Sequence, residues 1–288
     1  MKDSKSLLNK PSTFHPYSRR AAEPVTKLNA LWLSDIHLGS IDCKAEYLLH
    51  FLNSVQPKVL YLVGDIVDIW ALKRRVFWPE SHNQLLQKLL QMAQSGIKLV
   101  YLPGNHDELF KDYHQLQLAD VIISKEYRHQ TLSGKTLLML HGDQFDSEVC
   151  IGRITARLGD HLYDVLMFLN RQLHKVRRRL GYPYWSLAGF IKQRVGKAQQ
   201  AINSFREAVV RYGRKQKVDG IICGHIHQPE LTEMSGFIYA NDGDWVENCT
   251  LLTETLEGEL QLERWNEQLG RTEVLKRFAW QRQEQQAA

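Results

Sequence analysis

The sequence predicts an α/β layered fold, and two observations predict it. Short apolar runs recur along the chain, each ending directly in a polar turn, and helical patterns separate the early ones. Leu28–Leu33 runs into Ser34-Asp35 and Val59–Val63 into Gly64-Asp65. Ile97–Leu102 runs into Pro103-Gly104-Asn105-His106, Thr136–Leu140 into His141-Gly142-Asp143, and Ile221–Cys223 into Gly224-His225. Runs of this length, stopped by glycine, proline or polar residues, read as buried strands. Lys44 to Val55 and Ser81 to Ser95 have helical periodicity, and strand–helix–strand alternation indicates a sheet covered by helices. From Phe237 to Trp265 the chain is richer in strand and turn, which predicts a second sheet.

Composition bounds the rest. With 288 residues, 43% hydrophobic and 24% charged, the chain can bury a substantial single core. Residues 1–27 are polar and basic and lack the apolar stretch of a secretory leader, so they read as a flexible tail. The domain is expected at 28–268, with a C-terminal tail at 269–288. No window approaches the roughly 18 consecutive apolar residues of a membrane-spanning helix, so a cytoplasmic protein is expected. Cys43, Cys150, Cys223 and Cys249 are too scattered for a thiolate metal site; they read as buried, reduced thiols.

Residues 151–217 interrupt the strand pattern. They are helical in period and carry 15 Lys/Arg against 3 Asp/Glu, a net of +12, whereas the remainder carries 22 against 29, a net of −7. The overall +5 therefore hides a strongly basic insertion, more than solubility requires.

The polar clusters all stand at carboxyl ends of expected strands, where ligands gather in α/β folds. Asp35 and His37, two apart, lie on one side of an extended segment. Together the strand ends supply Asp35, His37, Asp65, Asn105, His141, His225 and His227: carboxylate, imidazole and one amide, with no thiolate. Such an oxygen and nitrogen set suits manganese, iron or zinc. Seven ligands exceed what one catalytic ion with an open position uses, but they suit two ions sharing a carboxylate. A pair of ions can clamp the oxygens of an in-line displacement at phosphorus. No Gly-x-Ser-x-Gly elbow offers a covalent alternative.

The series Asp35-x-His37, Gly64-Asp65-x-x-Asp68, Gly104-Asn105-His106-Asp107, His141-Gly142-Asp143 and Gly224-His225-x-His227 resembles the signature of the calcineurin-like metallophosphoesterases. The resemblance implies a four-layer α/β/β/α sandwich with a helical cap insertion at 151–217 and two divalent ions between the sheets, Mn²⁺ first, with Fe²⁺ or Zn²⁺ as alternatives. It implies that Asp35, His37 and His227 hold one ion, that Asn105, His141 and His225 hold the other, and that Asp65 bridges them. By the same resemblance His106 contacts the phosphate and protonates the leaving group, while Asp107 and Asp68 orient imidazoles.

Within that superfamily the chain is most similar to UDP-2,3-diacylglucosamine hydrolases. The similarity rests on its size, on Asp68-Ile69-Trp70, and on the insertion between the His141 and His225 motifs. These enzymes act in lipid A synthesis. The resemblance implies hydrolysis of the pyrophosphate of a lipid-linked nucleotide, with acyl chains held by the cap. Leu158, Leu162, Val165, Leu166 and Leu169 recur at helical spacing, and Arg153, Arg157, Lys192, Arg194 and Lys197 are candidate contacts to the anionic substrate. Arg177-Arg178-Arg179, followed by Tyr182, Tyr184 and Trp185, is a mixture suited to an anionic membrane surface, here the inner face. One position departs from the pattern: His106 stands where the hydrolases carry arginine. A phosphodiesterase or nuclease that grips its substrate with the basic insertion is the alternative, although no recognised nucleic-acid-binding module is visible. A non-catalytic scaffold is the remaining reading, and scaffolds that have lost their ions usually lack ligands, whereas none is missing here.

Overall fold

The structure is a computed structural model that describes residues 25–113, 117–118, 121–147, 153–182, 184–192 and 196–280, with backbone alone for 117–118, 153–165, 188, 192 and 197. In chain order, strands and helices alternate early: β1 (Thr26–Leu33), α1 (Ala45–Leu52), β2 (Val55–Leu62), α2 (Ile69–Arg74), α3 (Glu80–Gln94) and β3 (Lys98–Tyr101). Four short strands follow: β4 (Gln117–Leu118), β5 (Val121–Ile123), β6 (Tyr127–Gln130) and β7 (Thr136–Met139). The insertion forms α4 (Arg153–Arg179), α5 (Leu187–Lys192) and α6 (Gly196–Lys215). The chain then returns to strands: β8 (Gly220–Cys223), β9 (Glu230–Met234), β10 (Phe237–Asn241), β11 (Thr250–Glu254), β12 (Glu259–Asn266) and β13 (Arg271–Ala279).

Eight strands make one sheet, in the order β13-β12-β11-β1-β2-β3-β5-β4, and five make the other, β6-β7-β8-β10-β9. β1, β2, β3 and β5 run parallel to one another, as do β7, β8 and β10. Period-two alternation sets the layers. On β1, Leu31 and Leu33 pack under α1 and α3 beside Leu48, Leu52, Leu85 and Leu89. Ala30 and Trp32 point the other way, onto Met139, Ile222 and Ile238 of the five-stranded sheet. That sheet's outer face, with Leu138, Leu140 and Ile221, is covered by Phe205 and Val209 of α6. The result is helix, sheet, sheet, helix.

Two expectations need correction. The strands from Phe237 to Trp265 do not form a sheet of their own. β10 joins β7 and β8, whereas β11 and β12 return to the eight-stranded sheet, β11 pairing antiparallel with β1. The segment expected as a C-terminal tail contains β13, which pairs along its length with β12. An edge strand is wetted on both faces, so β13 carries no apolar run and only its hydrogen bonds reveal it. Residues 1–24 and 281–288 lie outside the described residues, as do Cys150 and Arg194.

The two sheets are also tied by a buried polar cluster at the end remote from the strand-end loops. Glu254 on β11 accepts hydrogen bonds from Asn29 Nδ2 (2.6 Å), His129 Nε2 (2.8 Å) and the Leu132 amide (2.8 Å). Tyr61 donates to His129 Nδ1 at 2.9 Å. Burial would raise the Glu254 carboxyl, but His129, Asn29 and the amide outweigh it and hold it below the usual glutamate value. A depressed folded value means that its contribution is complete above the ordinary glutamate pKa and is lost as pH falls through the lowered one. Glu254→Gln should therefore cost about 1–3 kcal/mol at neutral pH. In urea titrations the gap from wild type should narrow below about pH 4.3.

Candidate metal centre

The expected ligands converge because the backbone turns sharply at the strand ends. Asp35 (φ 49°), His37 (54°), Asp65 (54°), His225 (70°) and His227 (51°) all occupy the left-handed region. Of the eight non-glycine residues with positive φ among the described residues, five are expected ligands, so strain is concentrated where the chemistry would be. Each such residue costs on the order of 1–3 kcal/mol. The geometry is over-determined by hydrogen bonds between loops: Asp35 N to Gly64 O (3.0 Å), His37 N to Asp65 O (2.9 Å), Trp245 N to Asp35 O (3.0 Å) and His225 N to Asp35 Oδ2 (2.9 Å).

Two ligand groups result. One donor atom from each of Asp35, His37 and His227 lies within 4.8 Å of the others, and the same holds for Asp65, His141 and His225. Asp65 stands between the groups, its Oδ2 3.8 Å from His37 Nε2 and 3.3 Å from His141 Nε2. Asn105 follows β3, and the next amide, His106 N, donates to Asp65 Oδ1 at 2.8 Å. All seven expected ligands are thus gathered at the strand ends of both sheets. Close approach depends on missing side chains. A Cβ at Gly104 would lie 2.2 Å from Asp65 Oδ1, and one at Gly64 would lie 2.1 Å from His141 Nδ1.

Asp68 holds two imidazoles, accepting from His37 Nδ1 (3.1 Å) and His106 Nδ1 (2.9 Å). Trp70 lies against the His106 ring, with centroids 4.3 Å apart. His141 Nδ1 donates to the Val63 carbonyl at 2.9 Å. Asp107 does not fit its expected role. Its carboxylate accepts from the amides of Gly104 (2.6 Å) and Ile66 (2.7 Å) and from the Tyr101 hydroxyl (2.5 Å), and it bonds no imidazole among the described residues. It ties the Asp65 loop to the Asn105 loop and is fully buried. Sequence reasoning missed Asp244 and Glu247, buried carboxylates 4.0 Å and 3.9 Å from His227 Nδ1. It also missed Asp146, which accepts from His225 Nε2 at 2.6 Å. The acidic turn Asp242-Gly243-Asp244-Trp245-Val246-Glu247 was the available signal. Of the expected substrate contacts, Arg153, Arg157, Lys192 and Lys197 have side chains outside the described residues.

Electrostatics bear on whether cations fit. Burial would raise the Asp35 carboxyl, but His227 and His37 hold it well below the usual range; His141 does the same for Asp65. Burial would lower His37 and His141, yet the carboxylates push both upward, His141 to about 10. Asp35 Oδ1, His37 Nε2, Asn105 Oδ1 and His141 Nε2 are buried without a hydrogen-bond partner among the described residues. Buried polar atoms rarely go unsatisfied, and three of these four belong to residues of the two donor groups. The donor set therefore fits divalent cations.

This constellation on a four-layer sandwich defines a metal-dependent phosphohydrolase. The calcineurin-like phosphoesterase family profile matches residues 28–229, and the chain belongs to that family. Among its relatives is a UDP-2,3-diacylglucosamine hydrolase of Edwardsiella ictaluri, 27% identical over 210 residues, 71% of this chain and 78% of the relative. The enzyme of the same name from Neisseria gonorrhoeae is 25% identical over 219 residues, 74% of this chain and 88% of the relative. Among solved structures, the E. coli phosphoesterase Yfce aligns over 87% of this chain and 98% of its own, with 16% identity and a TM-score of 0.44.

Gly104→Ala tests the close approach. It should leave the far-ultraviolet circular dichroism unchanged while lowering the divalent-metal content of the dialysed protein below that of wild type, because the added methyl displaces Asp65 or His141.

Proposed function

We propose that this protein hydrolyses the pyrophosphate bond of UDP-2,3-diacylglucosamine or a related lipid-linked nucleotide. The observation that carries the reading is the pair of donor groups Asp35–His37–His227 and Asp65–His141–His225, with Asp65 Oδ2 3.8 Å from His37 Nε2 of the first group, and the hydrolase names of the relatives support the substrate class. In this reading Asp35, His37 and His227 hold one ion, Asn105, His141 and His225 the other, and Asp65 both. Mn²⁺ suits the donor set first, with Fe²⁺ and Zn²⁺ as alternatives. Two such ions would activate water and neutralise the phosphoryl oxygens.

The chain's own residues do the rest. His106, its Nδ1–H fixed by Asp68 and its ring backed by Trp70, presents Nε2 as the proton donor to the leaving oxygen. Asp107 holds two ligand loops at their spacing and touches no substrate.

The cap would meet the lipid portion. It is fastened to the sandwich by the Arg171–Asp42 ion pair (2.6 Å) and by Tyr184, whose hydroxyl accepts from Asn170 (3.0 Å) and donates to the Val246 carbonyl (3.3 Å). No helix among the described residues is long and apolar enough to cross a membrane. The Arg177 guanidinium lies over the rings of Tyr182 (5.5 Å) and Trp185 (5.7 Å), and Leu180 beside them is 67% exposed. That combination supports peripheral contact with the anionic inner membrane face from the cytoplasm.

Purified protein with Mn²⁺ and UDP-2,3-diacylglucosamine should release UMP. Absence of UMP, with rapid cleavage of a simple phosphodiester, would overturn the lipid substrate but leave the chemistry; salt-sensitive binding of random DNA would favour the nuclease reading. Asp65→Ala should lower kcat/KM by about 10³-fold or more, and full activity in that variant would end the two-ion mechanism. His106→Ala should lower kcat by about 10²–10⁴-fold while the two ions remain bound.

A further inference from the structure

Three of the four imidazoles of the site are hydrogen-bonded from behind, each by a different kind of partner, and the fourth faces carboxylates it does not hydrogen-bond. His37 leans on Asp68 and His227 faces Asp244 and Glu247, all three of these carboxylates being buried. His141 leans on the Val63 carbonyl. Only His225, among the described residues, is braced by a carboxylate open to solvent: Asp146, whose side chain is 63% exposed, accepts from its Nε2 at 2.6 Å.

That contact is built, for the turn carrying Asp146 is fixed on three sides. Its amide donates to the Asp143 carbonyl at 3.2 Å, Asp143 pairs with Lys111 at 2.5 Å, and the buried Phe145 packs edge-on to Phe205 of α6. Phe205 in turn lies 6.1 Å from the His225 ring.

We propose that Asp146 is the positioning residue for His225, and that its exposure makes the Asn105–His141–His225 ion position the weaker and more readily exchanged of the two. The proposal rests on the two-ion reading. A carboxylate behind an imidazole selects the nitrogen left for the ion, fixes the ring's direction and raises its basicity. With Nε2 engaged, His225 offers Nδ1. Water competes for an exposed carboxylate and screens its charge, whereas the Asp68 hydrogen bond to His37, and the charges of Asp244 and Glu247 at 4.0 and 3.9 Å from His227 Nδ1, act in a dry interior. The two positions therefore differ in how firmly an imidazole is held, even though their donor types are similar.

The test is Mn²⁺ titration of the metal-stripped full-length protein, followed by calorimetry and by the electron paramagnetic resonance of free Mn²⁺. Wild type should bind two ions with separable affinities. Asp146→Ala should weaken the weaker by about 10–100-fold and leave the tighter within about twofold, Asp146→Glu should recover most of the loss, and Asp244→Asn should weaken the tighter. A long-range ¹H–¹⁵N spectrum of the metal-free protein should show His225 protonated at Nε2 in wild type and not in Asp146→Ala, with the other imidazole signals unmoved. Two unchanged affinities in Asp146→Ala, or an effect on the tighter ion, would overturn the proposal alone. Fewer than two ions in wild type would overturn the two-ion reading and the proposal with it.

Discussion

Left-handed backbone at five of the seven gathered candidate ligands is the constraint around which the rest of the molecule is arranged. Side chains along a strand normally alternate between its two faces. At positive φ the backbone leaves that extended path, and Asp35 and His37 join His227 in one donor group while His225 joins Asp65 and His141 in the other. The summed strain, at roughly 1–3 kcal/mol each, is comparable with the net stability of a whole domain. It persists because neighbouring loops hold one another through backbone amides, and because Asp107 gathers amides from the Asp65 and Asn105 loops onto a single buried carboxylate.

The same loops concentrate charge that the interior would otherwise reject. Buried carboxylates and imidazoles shift one another toward their ionised forms, and several donor atoms stay unsatisfied among the described residues. Cations would complete this arrangement, since they satisfy the inward-facing atoms while the outer atoms keep their hydrogen bonds. The two ends of the sandwich use opposite solutions. At the far end the Asn29–Glu254–His129–Tyr61 cluster closes on itself, which fixes the sheets without leaving an atom to recruit a ligand.

The insertion is joined to the sandwich where it can affect the site. Tyr184 donates to Val246, and the turn around Val246 carries Asp244 and Glu247, which stand behind His227. Asn248 from that turn also donates to the His227 carbonyl at 3.0 Å. Cap and candidate ligand cluster therefore share one loop.

Much of the site was legible in the sequence, because strand ends are marked locally: an apolar run stops and glycine, aspartate or histidine follows. Those local signals determined β1, β2, β3, β7 and β8, the helices α1 and α3, and the seven residues that the fold gathers, while β5 and α2 went unread. What they could not convey was pairing. β11 and β12 return to the first sheet because of hydrogen bonds to β1, and β13 is a strand only because β12 lies beside it. Asp68 was expected from the sequence, but Asp146 and Asp244 were hidden, being brought to His225 and His227 by the loops after β7 and β10, while Asp107 proved to face amides instead of rings. Sequence spacing fixes which side chains a single turn can present. Which atom stands behind each of them depends on how separate turns pack, and only the tertiary structure decides that.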